Sequence, residues 1–185
     1  MIEHIDDLIE AGVTSLKIEG RAKSAYYTAL TVNAYRAALD AVKRGEKPPH
    51  WVIDEVNKIS HRPYCTGFFY GDPREGSGTQ NPKEVSNGGQ YFTDSGYIRE
   101  YDFVGTVDDC ADGIMSIIQR NYFTLSDEME LLAPGREPIR FAPEKLLNSQ
   151  GERIEVARHA MEKLTAVTDI SVPCGSLIRK RVKGV

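Results

Sequence analysis

Apolar positions along residues 1–45 recur with two different periods. Ile2, Ile5, Leu8 and Ile9 follow at spacings of three, three and one, which marks one buried face of a helix. Ala11-Gly12 closes that helix, glycine being suited to the left-handed residue that often follows a helix. Residues 13–18 are short and partly β-branched, with Leu16 and Ile18 at alternate positions, and are predicted to be a strand. Ser24 is placed to cap a second helix, in which Tyr27, Leu30, Ala34, Ala38 and Ala41 keep a three-to-four spacing as far as Gly45. Helix, strand and helix with short connections make one unit of an α/β protein. A parallel strand needs neighbours on both edges, so one unit cannot close its own sheet. Residues 1–45 are therefore expected to be the end of a larger α/β domain, with Met1 an internal methionine.

The pattern changes twice more. Pro48-Pro49 breaks the helix, and residues 51–59 can form a short one with Val52, Val56 and Ile59 on one side. Residues 71–78 and Asn81-Pro82 are rich in turn formers, so residues 46–83 read as a linker with a short helix. From residue 84 onward the pattern is all-β. Strands are predicted over 101–107, 113–119, 128–132, 139–141, 153–157 and 161–167. Asp112-Gly113, Pro134-Gly135, Gln150-Gly151 and Thr168-Asp169 mark the turns between them. Short strands at this spacing suggest a small antiparallel barrel over 84–185, and the whole chain is assigned to the α+β class.

Composition narrows the setting. The chain has 185 residues, 41% hydrophobic and 27% charged, as expected of a globular protein. No apolar run approaches the roughly 20 residues needed to cross a bilayer, and the start has neither the basic nor the apolar region of a signal peptide. A cytoplasmic location is expected. The net charge of -4 gives no general attraction to nucleic acid, but leaves room for a local basic patch. Cys65, Cys110 and Cys174 are far apart with no histidine at ligand spacing, and His4, His50, His61 and His159 are equally scattered. They read as ordinary thiols and imidazoles, not as a metal site.

Three segments carry candidate chemistry. Glu19-Gly20-Arg21-Ala22-Lys23 sits where the predicted strand gives way to a helix, the end of a strand at which α/β proteins bind ligands. Glu19 could act as acid, base or anchor, while Arg21 and Lys23 precede a helix N-terminus that favours anions. The plainer reading is a surface turn with a Glu19–Arg21 ion pair worth about 0–1 kcal/mol. Residues 60–71 hold His61, Arg62, Tyr64 and a run of aromatics, fit either for a stacked or anionic ligand or for packing the linker onto a neighbouring domain. His61 with Cys65 could be imagined as base and nucleophile, but the setting is not that of a known nucleophilic cysteine. Arg179, Lys180, Arg181 and Lys183 form a basic chain end that could touch phosphates, or simply be solvated.

These residues also carry a resemblance. Residues 15–21, with Lys23-Ser24, Tyr26-Tyr27 and Tyr35-Arg36, resemble the hallmark of peptidase family U32, written SLKIEGR-x-KS-x-YY … YR. Residues 60–64 with Thr66-Gly67-Phe68 resemble its SHR-x-Y-x-TGF segment. Gln119-Arg120-Asn121 with residues 126–130 resembles the QRN … GDELE signature of its C-terminal barrel, Ser126 standing where glycine is usual.

The resemblance implies a TIM-barrel-like catalytic domain followed by a β-barrel like the second domain of elongation factor Tu. Residues 1–45 would then be the end of the first and residues 84–185 the second. It implies an iron–sulfur cluster in the full-length parent, held by cysteines upstream of Met1, so no cofactor is expected in this fragment. It implies either a collagenase-like peptidase or a tRNA hydroxylation enzyme that uses a prephenate-like small molecule. The second is favoured, because an anion-friendly Glu19, Arg21 and Lys23 mouth suits a dicarboxylate or a phosphate better than a peptide bond. On that reading Glu19, Arg21 and Lys23 line the catalytic mouth, His61, Arg62 and Tyr64 form a substrate-binding patch at the domain junction, and tRNA or another RNA is the partner. The β-barrel as a separate RNA- or protein-binding module is the third reading. The fragment alone is expected to be inactive.

Overall fold

The computed structural model describes residues 1–59, 64, 66–71 and 100–182. The chain opens with a 3-10 turn (Ile2–His4) that runs into α1 (Ile5–Glu10), so the expected first helix is present but its first turn is tighter. Gly12, at φ +83, ends it: Gly12 N–H bonds to Ile9 O and Val13 N–H to Leu8 O, which satisfies two carbonyls the helix would leave bare. α2 (Ala25–Lys43) begins at Ser24, whose hydroxyl accepts the Tyr27 N–H at 3.2 Å. It ends on the same pattern at Gly45, φ +77, with Gly45 N–H to Val42 O and Glu46 N–H to Ala41 O. α3 (His50–Asn57) follows. Ile2, Ile5, Ala34, Ala38, Val52 and Val56 make one buried cluster, so the three helices share a small core of their own.

The expected strand at residues 13–18 does not form. The residues keep their alternation, with Leu16 and Ile18 half-buried and Ser15, Lys17 and Glu19 exposed, but they pair with no strand. The physical reason is the one the pattern itself raised: a strand is stable only with a neighbour to bond, and every strand of the described residues pairs antiparallel within residues 101–181.

Those residues hold ten strands: β1 (Tyr101–Ala111), β2 (Ile114–Gln119), β3 (Phe123–Thr124), β4 (Met129–Leu132), β5 (Ile139–Phe141), β6 (Lys145–Leu147), β7 (Arg153–Ile154), β8 (Val156–Ala157), β9 (Lys163–Val167) and β10 (Leu177–Arg181). Eight form one antiparallel sheet in the order β5-β4-β10-β1-β2-β9-β6-β7, and β3 pairs with β8 as a separate ribbon. Asp112-Gly113, both at positive φ, makes the two-residue turn between β1 and β2. The strand expected over 153–157 is divided at Glu155: β7 stays in the main sheet and β8 leaves it for β3. Phe141 near one edge and Leu146 near the other belong to a single buried cluster with Val107, Ile117 and Ile178 from the middle. Laid flat, eight strands would be roughly 34 Å across, so the sheet curls about that core.

The basic chain end is not a solvated tail. Residues 177–181 are β10, paired on both sides between β4 and β1, and Arg179 is fully buried. Lys183 and the turn-rich stretch 72–83 lie outside the described residues, as does the start of the expected barrel before residue 100. No helix among the described residues is long and apolar enough to cross a membrane.

Candidate functional site

Gly20 is pressed against the first turn of α2. A Cβ there would lie 3.3 Å from Thr28 Oγ1, which would have to give by a few tenths of an ångström, and 3.8 Å from the Tyr27 ring, an ordinary contact, so glycine lets the turn seat closely on the helix. Glu19 spends one carboxylate oxygen on the Arg21 N–H at 2.8 Å, and Lys23 N–H bonds to Gly20 O at 2.9 Å. The plainer expectation, a Glu19–Arg21 ion pair, is thus replaced by a carboxylate that caps the backbone of the turn. Lys23 Nζ lies 5.4 Å from the centre of the Tyr27 ring, close enough for a cation–π contact. Glu19, Arg21 and Lys23 are all exposed. The fold therefore presents two cations and a carboxylate on a tight turn whose floor is an aromatic ring.

Tyr64 comes to the same place from a different segment. Its hydroxyl donates to Val56 O at 3.0 Å, and burial, with the Tyr27 and Tyr35 phenols close by, pushes its pKa up to about 12. Burial and Tyr27 likewise raise Tyr35. Tyr27 thus lies near enough to act on both phenols electrostatically, and it also underlies the Glu19–Lys23 turn. His61 and Arg62, expected beside Tyr64, lie outside the described residues, as does Cys65. Beyond Tyr64, Phe68 and Phe69 are largely exposed, and the Tyr70 ring lies tilted against His4 at 4.6 Å with its hydroxyl donating to Asp7.

Two features carried no clear local signal. The first is a groove of about 570 Å³ between α2 and the sheet, walled by Ala29, Val32 and Arg36 on one side and Leu132, Pro134 and Leu177 on the other. Thr28 lines it too, so the groove runs up to the turn that Gly20 seats. Asn33 fixes its rim by accepting the Gly135 N–H at 2.7 Å and donating to Arg136 O. The second is a buried charge cluster where α3 meets the sheet. Arg179 grips Glu55 with two parallel bonds of 2.9 and 2.7 Å and reaches Glu130 through Nε at 2.8 Å. Tyr101 covers the guanidinium at 4.4 Å, and Lys58 Nζ lies 3.0 Å from Glu55. Burial opposes the charge on Arg179, but the carboxylates more than compensate and hold it above its ordinary range. Glu55 could have been noticed in the sequence: it lies on the apolar face that carries Val52, Val56 and Ile59, a costly place for a lone charge.

Among the described residues no group of three or more His, Cys, Asp or Glu is arranged to hold a metal ion. Cys110 is half-buried with its thiol donating to Ile170 O, and Cys174 is exposed elsewhere on the surface, so these two do not fit an iron–sulfur site.

Residues 1–79 match the model of peptidase family U32, and residues 99–179 match that of the peptidase family U32 C-terminal domain. The chain is 32% identical, over 97% of its length, to tRNA hydroxylation protein P1 of Bacillus subtilis, and spans 41% of that protein. It is 31% identical to tRNA hydroxylation protein P of Escherichia coli over 84% of the chain, which spans 32% of that relative. It is 43% identical over a shorter stretch, 39% of the chain and 18% of the relative, to a Methanocaldococcus jannaschii protein named an uncharacterized protease. A crystal structure of the C-terminal domain of a Geobacillus thermoleovorans U32 peptidase aligns with 43% of this chain and 99% of its own, at 27% identity and a TM-score of 0.40. The motif residues gathered around Tyr27 and the two family matches agree, and the chain is a member of peptidase family U32.

Proposed function

We propose that this chain is part of a tRNA hydroxylation protein, with the Glu19, Arg21 and Lys23 turn at the mouth of the catalytic site. The observation that carries the reading is the tight turn on Tyr27, where Lys23 lies over the ring and Arg21 and Glu19 stand exposed on the same turn. Cations suit phosphates or carboxylates, and aromatic rings suit unpaired bases, which stack on them without regard to sequence. The names of the bacterial relatives support the same reading. Arg21 is the residue assigned to an anionic group of the RNA or of a prephenate-like cosubstrate, and Tyr64, with His61 and Arg62, to substrate binding beside it.

The alternating but unpaired residues 13–18 support a second part of the proposal. They are the last strand of a TIM-barrel-like domain whose other strands belong to the polypeptide that the relatives have beyond the span matched here. The curled sheet corresponds to a barrel like the second domain of elongation factor Tu. An iron–sulfur cluster, where the complete protein carries one, takes its ligands from outside the described residues, and the chain alone is inactive. The proposed location is the cytoplasm, where tRNA is modified. The relative named as a protease keeps a peptidase as the alternative.

The test is nucleoside mass spectrometry of tRNA from cells lacking the complete gene. Loss of a hydroxylated uridine, restored by the wild-type gene but not by Arg21→Glu, is the expected result. Unchanged tRNA in the deletion strain rejects the reading and returns the peptidase to the front.

A further inference from the structure

Besides the stack of Tyr26 on Phe103, the helices and the curled sheet meet through three kinds of contact. Leu30, Ile59 and Leu132 form a small apolar patch with Tyr26, Tyr27 and Leu177 around it. Asn33 holds the Pro134-Gly135 turn by two hydrogen bonds. Arg179 of β10, fully buried, holds Glu55 of α3, itself nearly buried, across 124 positions of sequence. The first kind is tolerant: apolar surfaces slide and rotate at little cost because their attraction has no direction. The second is a single side chain of α2 bonded to an exposed loop.

The third is different in kind. A guanidinium and a carboxylate joined by two parallel bonds accept one relative orientation, and lose both bonds when either plane turns. Glu130 of β4 takes the remaining edge of the guanidinium, so the fork is fixed on the sheet side before it meets α3. Lys58, 3.0 Å from Glu55 and 3.9 Å from Glu130, gives two cations against two carboxylates, and Tyr101 closes the cluster from one face. Buried pairs of this kind stabilise little beyond what an apolar replacement would, and are better at selecting one arrangement from several. The groove of about 570 Å³ has one wall on α2 and the other on the sheet, so its width depends on which arrangement is selected.

We propose that Arg179, with Glu55 and Glu130, is a positioning group that locks the sheet onto the helices at one angle and so makes the helices, the groove and the sheet a single rigid platform. The sheet is then a fixed arm beside the Glu19–Lys23 turn and not an independently moving module. On the tRNA reading, which this consequence rests upon, a substrate touching both units meets them at a set distance.

The angle is measurable without any activity. Spin labels go on the exposed Cys174 of the sheet unit and on a cysteine introduced at the exposed Lys43 at the end of α2, with Cys65 and Cys110 replaced by alanine. Pulsed electron-electron resonance on the otherwise intact chain should give one narrow distance. Arg179→Met should lose that single peak in favour of a broad or split distribution. Glu55→Gln, which keeps the volume and cannot expose an unpaired carboxylate, should do the same and guards against a variant that fails to fold. Arg179→Lys, a point charge in place of a fork, should fall between. In each variant the amide of Ile117, in the sheet core, should keep its wild-type exchange protection. A distribution as narrow as wild type in both Arg179→Met and Glu55→Gln would overturn the proposal, whatever the tRNA experiment shows.

Discussion

Gly105 stands where β1 shifts register against β10, and a methyl group placed there has no room. An added Cβ would lie 2.9 Å from Ile117 Cγ2, 3.3 Å from Ile118 O and 3.8 Å from Ile178 Cδ1. Carbon atoms in good contact sit about 3.5–4.0 Å apart, so the first of these distances is strongly repulsive. Neither isoleucine can swing aside, because both are fully buried in the sheet core. The strand backbone at Gly105 is not in the left-handed region, so strain from conformation plays no part and the effect of Gly105→Ala is steric. Overpacking of this kind costs about 1–3 kcal/mol, and the alanine recovers about 0.4–1 kcal/mol by restricting the unfolded chain. The difference spans about 0–2.6 kcal/mol, and the 2.9 Å contact puts Gly105→Ala in its upper part, about 1–2.6 kcal/mol, a fall in Tm of roughly 2–10 °C for a chain of this size. Urea or thermal unfolding followed by circular dichroism measures it. Ile117→Ala alone should cost about 2–5 kcal/mol by leaving a cavity, but together with Gly105→Ala it should cost less than the sum, because the cavity receives the new methyl. A Gly105→Ala chain as stable as wild type, or a strictly additive pair, would refute the steric account.

Three further outcomes follow from single groups. Ser24→Ala removes the hydroxyl that holds the Tyr27 N–H and should cost about 1 kcal/mol in urea unfolding, most of it recovered by Ser24→Asp. Met161 holds φ +70 at the third position of a turn closed by Glu162 N–H to His159 O, and Met161→Gly should raise stability by about 0.5–1 kcal/mol in the same assay. Burial pushes Tyr26 up to about 12, against the opposing pull of Arg179. The folded chain therefore holds that proton more tightly than the unfolded one. The stabilisation is whole below pH about 10 and is lost as the pH rises through about 12. An ultraviolet titration that is phenolate-free at Tyr26 at pH 11, tested against Tyr26→Phe, checks it.

Much of this fold could be read from local pattern, because the features concerned are local. Ser24, Gly12 and Gly45 cap helices through hydrogen bonds that span a few residues, and Asp112-Gly113 is a two-residue turn with its own chemistry. The failures share the opposite property. β3 has two residues, too few to show a period, and exists because it meets β8 across the fold; β8 lay inside the strand expected over 153–157, but its departure from β7 had no local sign. β6 is similar, with Leu146 buried between flanking residues that give no alternation long enough to recognise. Residues 13–18 show the reverse case: the alternation was real and the partner absent from the described residues, so pattern alone could not decide whether a strand forms.

The charged chain end illustrates why a motif misleads. Four basic residues near a terminus suggest solvent, yet three of them lie on a strand between two others, and a strand turns successive side chains to opposite faces. Ile178 enters the sheet core while Arg179 meets α3 on the other face. The sign that β10 was internal lay 124 residues away, at a glutamate placed on an apolar helix face, and only the pair together makes sense.

The paired tyrosines at the start of α2 show the same logic at the candidate site. Consecutive helical residues point about 100° apart, so Tyr26 and Tyr27, which both border the Leu30 patch, lean to different sides of it. Tyr26 stacks on Phe103 of β1 at 5.4 Å and feels the charge of Arg179, whereas Tyr27 floors the Gly20 turn beneath Lys23. One residue ties the helix to the sheet, and the other shapes the mouth. The two tyrosines are adjacent on α2, so the residue on the sheet and the residue under the mouth share one turn of helix. Because Tyr26 adds a stacked contact across the same interface that Arg179 holds, Tyr26→Leu, which keeps the apolar packing but not the stack, should broaden the Lys43–Cys174 distance while leaving the Ser24 cap intact.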